Sequence, residues 1–301
     1  MRGGGKIGVV AVLAAGCFWG TTGIFVRILN GYGYSPLTIV FVRMALAFAI
    51  TAIAFVITRR LDLFRIRLKD LWCFVGTGVS SAILLNLFLS MSTEMNTLSL
   101  ATVLLTTAPV FVVLLSRPIF GERITKIKIL SLIVAFAGCV LVSGAIGGGA
   151  IFSPFGVLIG VLSGIGYALY NIMTRFALDR GYNSLTVNVY SFGIGAAACV
   201  PFTNFALVAT TIAADPGHMA IVLLLQSLFV SLFPYMLYTF GMKFMDTGKA
   251  SILASIETVA ATVFGFIFYQ EIPTALSVTG IILMLLAVVL LNYKPRNTLA
   301  H

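Results

Sequence analysis

The sequence predicts an all-α polytopic membrane protein: ten transmembrane helices arranged as two inverted five-helix repeats, with both termini on the inner side. Three observations carry this prediction. The composition suits no hydrated surface, ten apolar runs reach spanning length, and the chain matches itself at a shift of 148–149 residues. Of 301 residues, 60% are hydrophobic and 9% charged, against about 25% charged in a soluble domain. Mean hydropathy is +1.09. The net charge of +10 does not read as nucleic-acid affinity, because the cations lie in short clusters between apolar runs, as in loops that obey the positive-inside rule.

The runs fall at about 7–29, 36–58, 71–91, 98–117, 126–144, 154–178, 185–209, 219–241, 249–268 and 274–292. Each approaches the ~20 residues that a helix rising ~1.5 Å per residue needs to cross ~30 Å of hydrocarbon. The first follows Arg2 and Lys6 and imitates a lipoprotein signal as far as Cys17. It continues through Trp19 and Phe25, beyond the ~7–15 residues of a signal's apolar region, and so reads as a retained span. The second opens after Gly31-Tyr32-Gly33-Tyr34-Ser35-Pro36 and stops at Arg59-Arg60. The third follows Arg65, Arg67 and Lys69. The fourth holds Pro109 and ends at Arg117, and the fifth starts at Lys126-Ile127-Lys128 and stops before Gly147-Gly148-Gly149. In the sixth and seventh, Gly160, Gly164, Gly166, Gly193, Gly195 and Pro201 mark bends and close-contact seams. The eighth follows Asp215-Pro216-Gly217 and contains Pro234. The ninth carries Glu257, and the tenth ends before Lys294 and Arg296.

Alternating the sides of these runs places 17 of the 19 Lys and Arg residues on one side, with Arg27 alone on the other and Arg43 inside the second run. The cation-rich side is therefore expected to be cytoplasmic, with both termini there and the protein in the inner (plasma) membrane. The four scattered cysteines, Cys17, Cys73, Cys139 and Cys199, suggest neither a disulfide framework nor a metal site.

Shifted by 148 residues, Gly33-Tyr34-Ser35-Pro36-Leu37-Thr38 lies over Gly181-Tyr182-Asn183-Ser184-Leu185-Thr186, with Gly16 over Gly164, Trp19 over Tyr167 and Arg27 over Arg175. A shift of 149 puts Ala101, Leu104 and Glu122 over Ala250, Leu253 and Glu271. Residues 1–146 and 147–301 therefore read as two copies of one unit within a single membrane domain. Five is odd, so the second copy enters the bilayer upside down, as in many secondary transporters with a midplane site at the repeat interface.

Trp19-Gly20, Phe41-Val42-Arg43, Tyr235-Met236-Leu237-Tyr238, Ile256-Glu257-Thr258-Val259, Phe268-Tyr269-Gln270-Glu271 and the first-half Gly121-Glu122 stand in an order that resembles the ten-helix EamA branch of the drug/metabolite transporter superfamily. The likeness covers nearly the whole chain. It implies a carrier of the bacterial inner membrane that moves small metabolites, often outward, without ATP. Thr258 stands where the family has proline, whereas the first-half counterpart Pro109 keeps it, so a milder break is expected in the ninth run.

Glu257 is the first candidate for the transport site. At helical spacing it shares a face with Ala250, Ala254, Ala261 and Gly265, a stripe of small residues suited to close helix approach or a cavity. A charge at the bilayer centre costs about 2.5–3.5 kcal/mol on insertion scales, so a partner or a proton must offset it. Arg43 is the expected partner, directly or through a bound zwitterion; its alternative is to snorkel to the interface. Trp19, Tyr167, Asn86, Tyr235, Asn171 and Gln226 complete the expected substrate-binding set; the alternative for each is packing or an interhelical hydrogen bond. His218 and His301 make no catalytic or metal cluster, and no GxxxxGK[ST] loop is present, so neither an enzyme nor an ATP-driven pump is expected. The expectation is a secondary carrier working by alternating access on amino acids or related amphipathic solutes, exporting them. It uses no cofactor, with the proton as candidate coupling ion, the lipid bilayer as surroundings, no nucleic-acid partner, and a monomer or weak homodimer as assembly. An exporter of drugs or hydrophobic cations would need Glu257 but not Arg43; a channel-like facilitator would not saturate.

Overall fold

The computed structural model describes residues 4–96, 98–143 and 153–292. The expected repeat boundary at 146/147, and Arg2, Lys294, Arg296 and His301, lie outside them. Among the described residues, nine helices are long and apolar enough to cross a membrane. Numbered by the runs they form, helix one is Gly5–Gly31, two Pro36–Ile57, three Leu68–Met95, four Leu100–Phe120, six Pro154–Asp179, seven Ser184–Phe202, eight Pro216–Phe244, nine Thr247–Tyr269 and ten Ala275–Asn292. Helix five, Lys126–Val142, has 17 residues and packs along helix ten.

Local chemistry sets the ends of these helices, and it does so twice. Ser35 accepts the amide of Thr38 at 3.3 Å to start helix two, and Asn183 accepts that of Leu185 at 3.0 Å to start helix seven. Gly33 and Gly181 precede these caps, both at φ +83°, where only a residue without Cβ is unstrained. Thr125 and Thr274 cap helices five and ten by accepting from Lys128 N (3.2 Å) and Ser277 N (3.1 Å). Helices four and nine end on left-handed residues, Gly121 at φ +68° and Gln270 at φ +57°.

The helix interiors repeat as well. Helix three widens into a π-helical turn at Ser80–Leu84 and helix eight at Ser227–Leu232. Helix four is interrupted at Thr106–Thr107, between Leu98–Leu105 and Ala108–Phe120. Helix nine is interrupted at Ser255 alone, between Thr247–Ala254 and Ile256–Tyr269. The ninth-run break is the shorter of the two. Thr258 keeps an amide that donates to Ser255 O at 3.1 Å, a bond that Pro109 cannot make.

Helix seven corrects one expected boundary. The apolar run 185–209 does not form one helix: it stops at Phe202, and a separate helix, Phe205–Ala214, follows. Pro201 withdraws a backbone donor at the stop, and Asn204 caps the new helix by accepting from Leu207 N at 3.0 Å. Hydropathy alone does not register such a break.

The main core gathers helices one, two, six, seven, eight and nine around Trp19, Met44, Phe192, Tyr235, Tyr238 and Leu253. Glycines let backbones touch within it. A Cβ on Gly16 would lie 3.0 Å from Ala254 O and 3.3 Å from Glu257 N, and one on Gly164 would lie 3.2 Å from Leu104 O and 3.4 Å from Ala108 N. Helix one thus crosses helix nine at its break, and helix six crosses helix four at its break. Gly138 and Gly280 meet similarly between helices five and ten, each within 2.8 Å of the other's carbonyl if a Cβ were added. Buried Asp70, in the first turn of helix three, ties it to the connection after helix six, taking bonds from Arg180 Nε (3.1 Å) and the Tyr182 hydroxyl (2.8 Å).

Candidate functional site

Glu257 stands in the first turn of the second half of helix nine. The break after Ala254 exposes the positive end of that half-helix's backbone dipoles, which favours a carboxylate there. The Gly16 contact brings helix one against its backbone, and Tyr167 and Arg43 lie within electrostatic range of the carboxylate. Glu257 itself is half-buried and accepts no hydrogen bond and joins no ion pair among the described residues.

The direct pairing expected with Arg43 is not formed. Arg43 is buried, 7% exposed, and its guanidinium donates to Val230 O at 3.4 Å and Ser231 Oγ at 3.2 Å. Both acceptors belong to the π-helical turn of helix eight, where shifted backbone pairing leaves carbonyl edges open to outside donors. Ser227 Oγ from the same turn donates back to Arg43 O at 2.9 Å. The arginine finds neutral oxygens on its neighbouring helix before it reaches the carboxylate on helix nine. It does not snorkel to the interface either.

The remaining candidates fall into two groups. Trp19, Tyr167 and Tyr235 come together in one aromatic cluster. Trp19 meets the Tyr167 ring edge-on at 6.5 Å and the Tyr235 ring at 5.5 Å. Asn171 joins it: its Nδ2 donates to Tyr167 O at 2.8 Å, and its Oδ1 accepts from the Tyr238 hydroxyl. The cluster is closed, with Trp19 at 7% and Tyr235 at 6% exposure. Asn86 and Gln226 lie instead beside the two π-helical turns. Asn86 donates to Ser81 O at 2.7 Å. Gln226 is fully buried with no partner for either amide atom among the described residues, which is expensive in an apolar interior and marks it as a place for a water or a polar solute.

The open space lies elsewhere. A cavity of about 390 Å³ follows helix nine from Thr258 to Tyr269, ~17 Å at the helical rise, and reaches Glu271 beyond its end; Gly20, Thr102 and Ser277 are among the residues that wall its other sides. None of the eight candidates lines it, although its floor at Thr258 adjoins Glu257. Sequence reasoning missed its hydroxyl lining; Thr258 and Thr262, one helical turn apart on a lipid-like helix, were the available signal. At its mouth Arg27 pairs with Glu271 at 2.6 Å, both about half exposed, with the guanidinium 4.4 Å over the Tyr269 ring.

At the opposite end there is a second charged cluster, with Lys128 and Glu122 buried and Asp246 at its exposed rim. Lys128, 5% exposed, reaches Glu122 at 3.3 Å and Asp246 at 3.5 Å. Glu122 accepts the amides of Thr247 (2.6 Å) and Gly248 (3.2 Å), capping helix nine. The sequence reads Lys128 as a loop charge that only sets topology. In the structure it is an internal counter-ion.

The EamA-like transporter family model matches this chain twice, over residues 6–144 and 154–293. An uncharacterized transporter of Archaeoglobus fulgidus is 26% identical over 96% of this chain and 97% of its own length. A second transporter from that organism is 24% identical over 92% of this chain and 95% of its own. A probable terminal-alkyne amino-acid exporter of Streptantibioticus cattleyicolor is 26% identical over 88% of this chain and 86% of its own. A solved crystal structure shares the fold at a TM-score of 0.74, with 17% identity, over 95% of this chain and 96% of that one. This multi-pass helical bundle is a secondary transporter of small solutes rather than an enzyme, and it belongs to the EamA-like family of the drug/metabolite transporter superfamily.

Proposed function

We propose that the chain is an alternating-access carrier that exports amino acids or related amphipathic metabolites across the inner membrane. It is built of ten spans in two inverted repeats, 1–146 and 147–301, with both termini cytoplasmic. The observation that carries this reading is the pairing of interruptions. Helix breaks, left-handed stops and caps recur at shifts of 148 or 149 residues, and the π-turns at 147 to 148, so each flexible element has a counterpart in the other half. Two five-helix units of this kind exchange roles when one end opens and the other closes. Helix five crosses the bilayer in this reading, and the positive-inside count places the Glu122 end in the cytoplasm and the Arg27–Glu271 mouth outside.

Glu257, at a half-helix terminus below the cavity floor, is the proton or ammonium site, with Trp19, Tyr167 and Tyr235 as the aromatic wall and Arg43, Asn86, Asn171 and Gln226 as its polar frame. The relative named as an amino-acid exporter supports this substrate class. Because Arg43 is engaged by Val230 and Ser231, Glu257 stands without a nearby bonded cation, and this favours a second reading, export of hydrophobic cations. Proteoliposomes loaded with a panel of labelled amino acids, with and without a pH gradient, test both. Saturable counterflow is expected; flux that does not saturate means a channel-like facilitator, and flux of cationic dyes alone moves the assignment to the second reading.

A further inference from the structure

Glu122 and Glu271 leave superposable backbone turns and finish in opposite situations. Each follows a left-handed residue, Gly121 or Gln270, and each returns its amide to its own helix, Glu122 N to Ser116 O at 3.4 Å and Glu271 N to Gly265 O at 3.3 Å. All these positions correspond at a shift of 149. Yet the Glu122 side chain is 8% exposed and bonded to the first amides of helix nine, whereas that of Glu271 is 52% exposed and held by Arg27. Both ends carry a cavity, but they differ in depth: the one of about 390 Å³ beside Glu271 runs inward along helix nine to Thr258, whereas the one of about 440 Å³ at Glu122 stops at the helix ends, among Phe120, Arg123, Asp179 and Asp246. The arginines divide in the same way. Arg175 donates to Met242 O (3.2 Å) and Met245 O (3.1 Å) at the sealed end, while its counterpart Arg27 rests on Glu271 and Tyr269.

We infer that Glu122 and Glu271 are alternating latches of the two ends: Glu122 seals one by capping helix nine, and when it lets go, Glu271 leaves Arg27 and seals the other by capping helix four at Leu98 and Ser99. Leu98 and Ser99 are the 149-residue counterparts of Thr247 and Gly248, and they begin the helical segment Leu98–Leu105 just as those begin Thr247–Ala254. Arg27, once released, moves to the carbonyls of Thr93 and Asn96, the counterparts of Met242 and Met245. This inference rests on the inverted-repeat carrier reading. The latches differ in strength. Lys128 neutralises Glu122, but its counterpart is Ser277, whose hydroxyl is spent on Thr274 at 3.0 Å. A carboxylate capping an N-terminus with an ammonium beside it outlasts one without, so the resting protein keeps the Glu122 latch closed.

Single-cysteine labelling in a background without the four native cysteines tests the exchange in proteoliposomes. Thr262→Cys reports the open cavity, and Val113→Cys, at the corresponding position of the first half and 4% exposed, reports the sealed end. Glu122→Gln is expected to raise labelling at 113 and lower it at 262 several-fold, and adding Glu271→Gln to reverse both changes. Ser277→Lys, which gives the second latch its missing ammonium, is expected to lower labelling at 262 without touching Glu122. If Glu122→Gln is not recovered as a monodisperse protein, Ser277→Lys against Ser277→Lys with Glu271→Gln decides. Unchanged labelling in these variants, or a Glu271→Gln that fails to reverse the shift, overturns the latch. Labelling needs no substrate: opposed shifts without flux of any solute would sink the carrier reading alone, and saturable flux with unshifted labelling the latch alone.

Discussion

The crossing of helix one over helix nine and the crossing of helix six over helix four are the same construction with different contents. Gly16 brings a backbone to within 3.3 Å (from an added Cβ) of Glu257 N, and Gly164 brings one to within 3.4 Å of Ala108 N. Glu257 and Ala108 are counterparts at a shift of 149, so one crossing holds a carboxylate and the other a methyl group. The backbone does not need the carboxylate to make this joint. Its presence in one half only separates what the fold requires, glycine and a broken helix, from what the proposed transport site adds.

Four measurements break or sharpen that contrast. The largest effect is expected at the joint: in Gly20→Leu a Cβ falls 2.8 Å from Ala261 N, a backbone atom with no room to yield, and overpacking of this kind costs about 3 kcal/mol. Thermal unfolding in detergent reads it, and an unchanged midpoint would mean that the seam is loose. Next comes the charge. Glu257→Gln keeps the shape and is expected to cut transport about tenfold, the worth of one buried charge interaction of ~1.4 kcal/mol, with little change in unfolding. Ala108→Glu in that background should not restore transport; restoration would make the two crossings interchangeable. Third, Tyr238→Phe removes the buried hydrogen bond to Asn171 and should cost about 1 kcal/mol of stability, with binding affected only as far as the aromatic wall shifts. The smallest effect belongs to the exposed Arg27–Glu271 pair. Arg27→Gln should change unfolding by less than about 1 kcal/mol, and its signature is in the rate of opening rather than in stability.

Much of this architecture is legible in the chain because the bilayer leaves few solutions. A run of apolar residues between cation clusters has to be a helix, and the paired signatures Gly33/Gly181 and Glu122/Glu271 announce the repeat directly. What escaped the sequence was backbone behaviour. Nothing in Ser-Ser-Ala-Ile-Leu or Ser-Leu-Phe-Val-Ser-Leu signals a π-turn, and it is the Val230 carbonyl and the Ser231 hydroxyl of the second that capture Arg43. Helix seven ended early because Pro201 and Asn204 act on single hydrogen bonds, which a hydropathy average dilutes. Lys128 was hidden for a similar reason: a cation next to Lys126 looks solvated until the acids of two other segments close over it. The aromatic cluster was half visible, since the repeat offset suggested Trp19 with Tyr167, but Tyr170 and Tyr238 entered through a tertiary meeting of helices six and eight.

The contact between Gly138 and Gly280 carries a mechanical consequence. Two rods whose main chains touch, each within 2.8 Å of the other's carbonyl from an added Cβ, cannot slide past one another without parting entirely. In the alternating-access reading proposed above, helices five and ten, one from each half of the chain, form a splint about which the other helices pivot. A covalent staple across that splint should leave turnover untouched, whereas the same staple between helices one and nine should stop it.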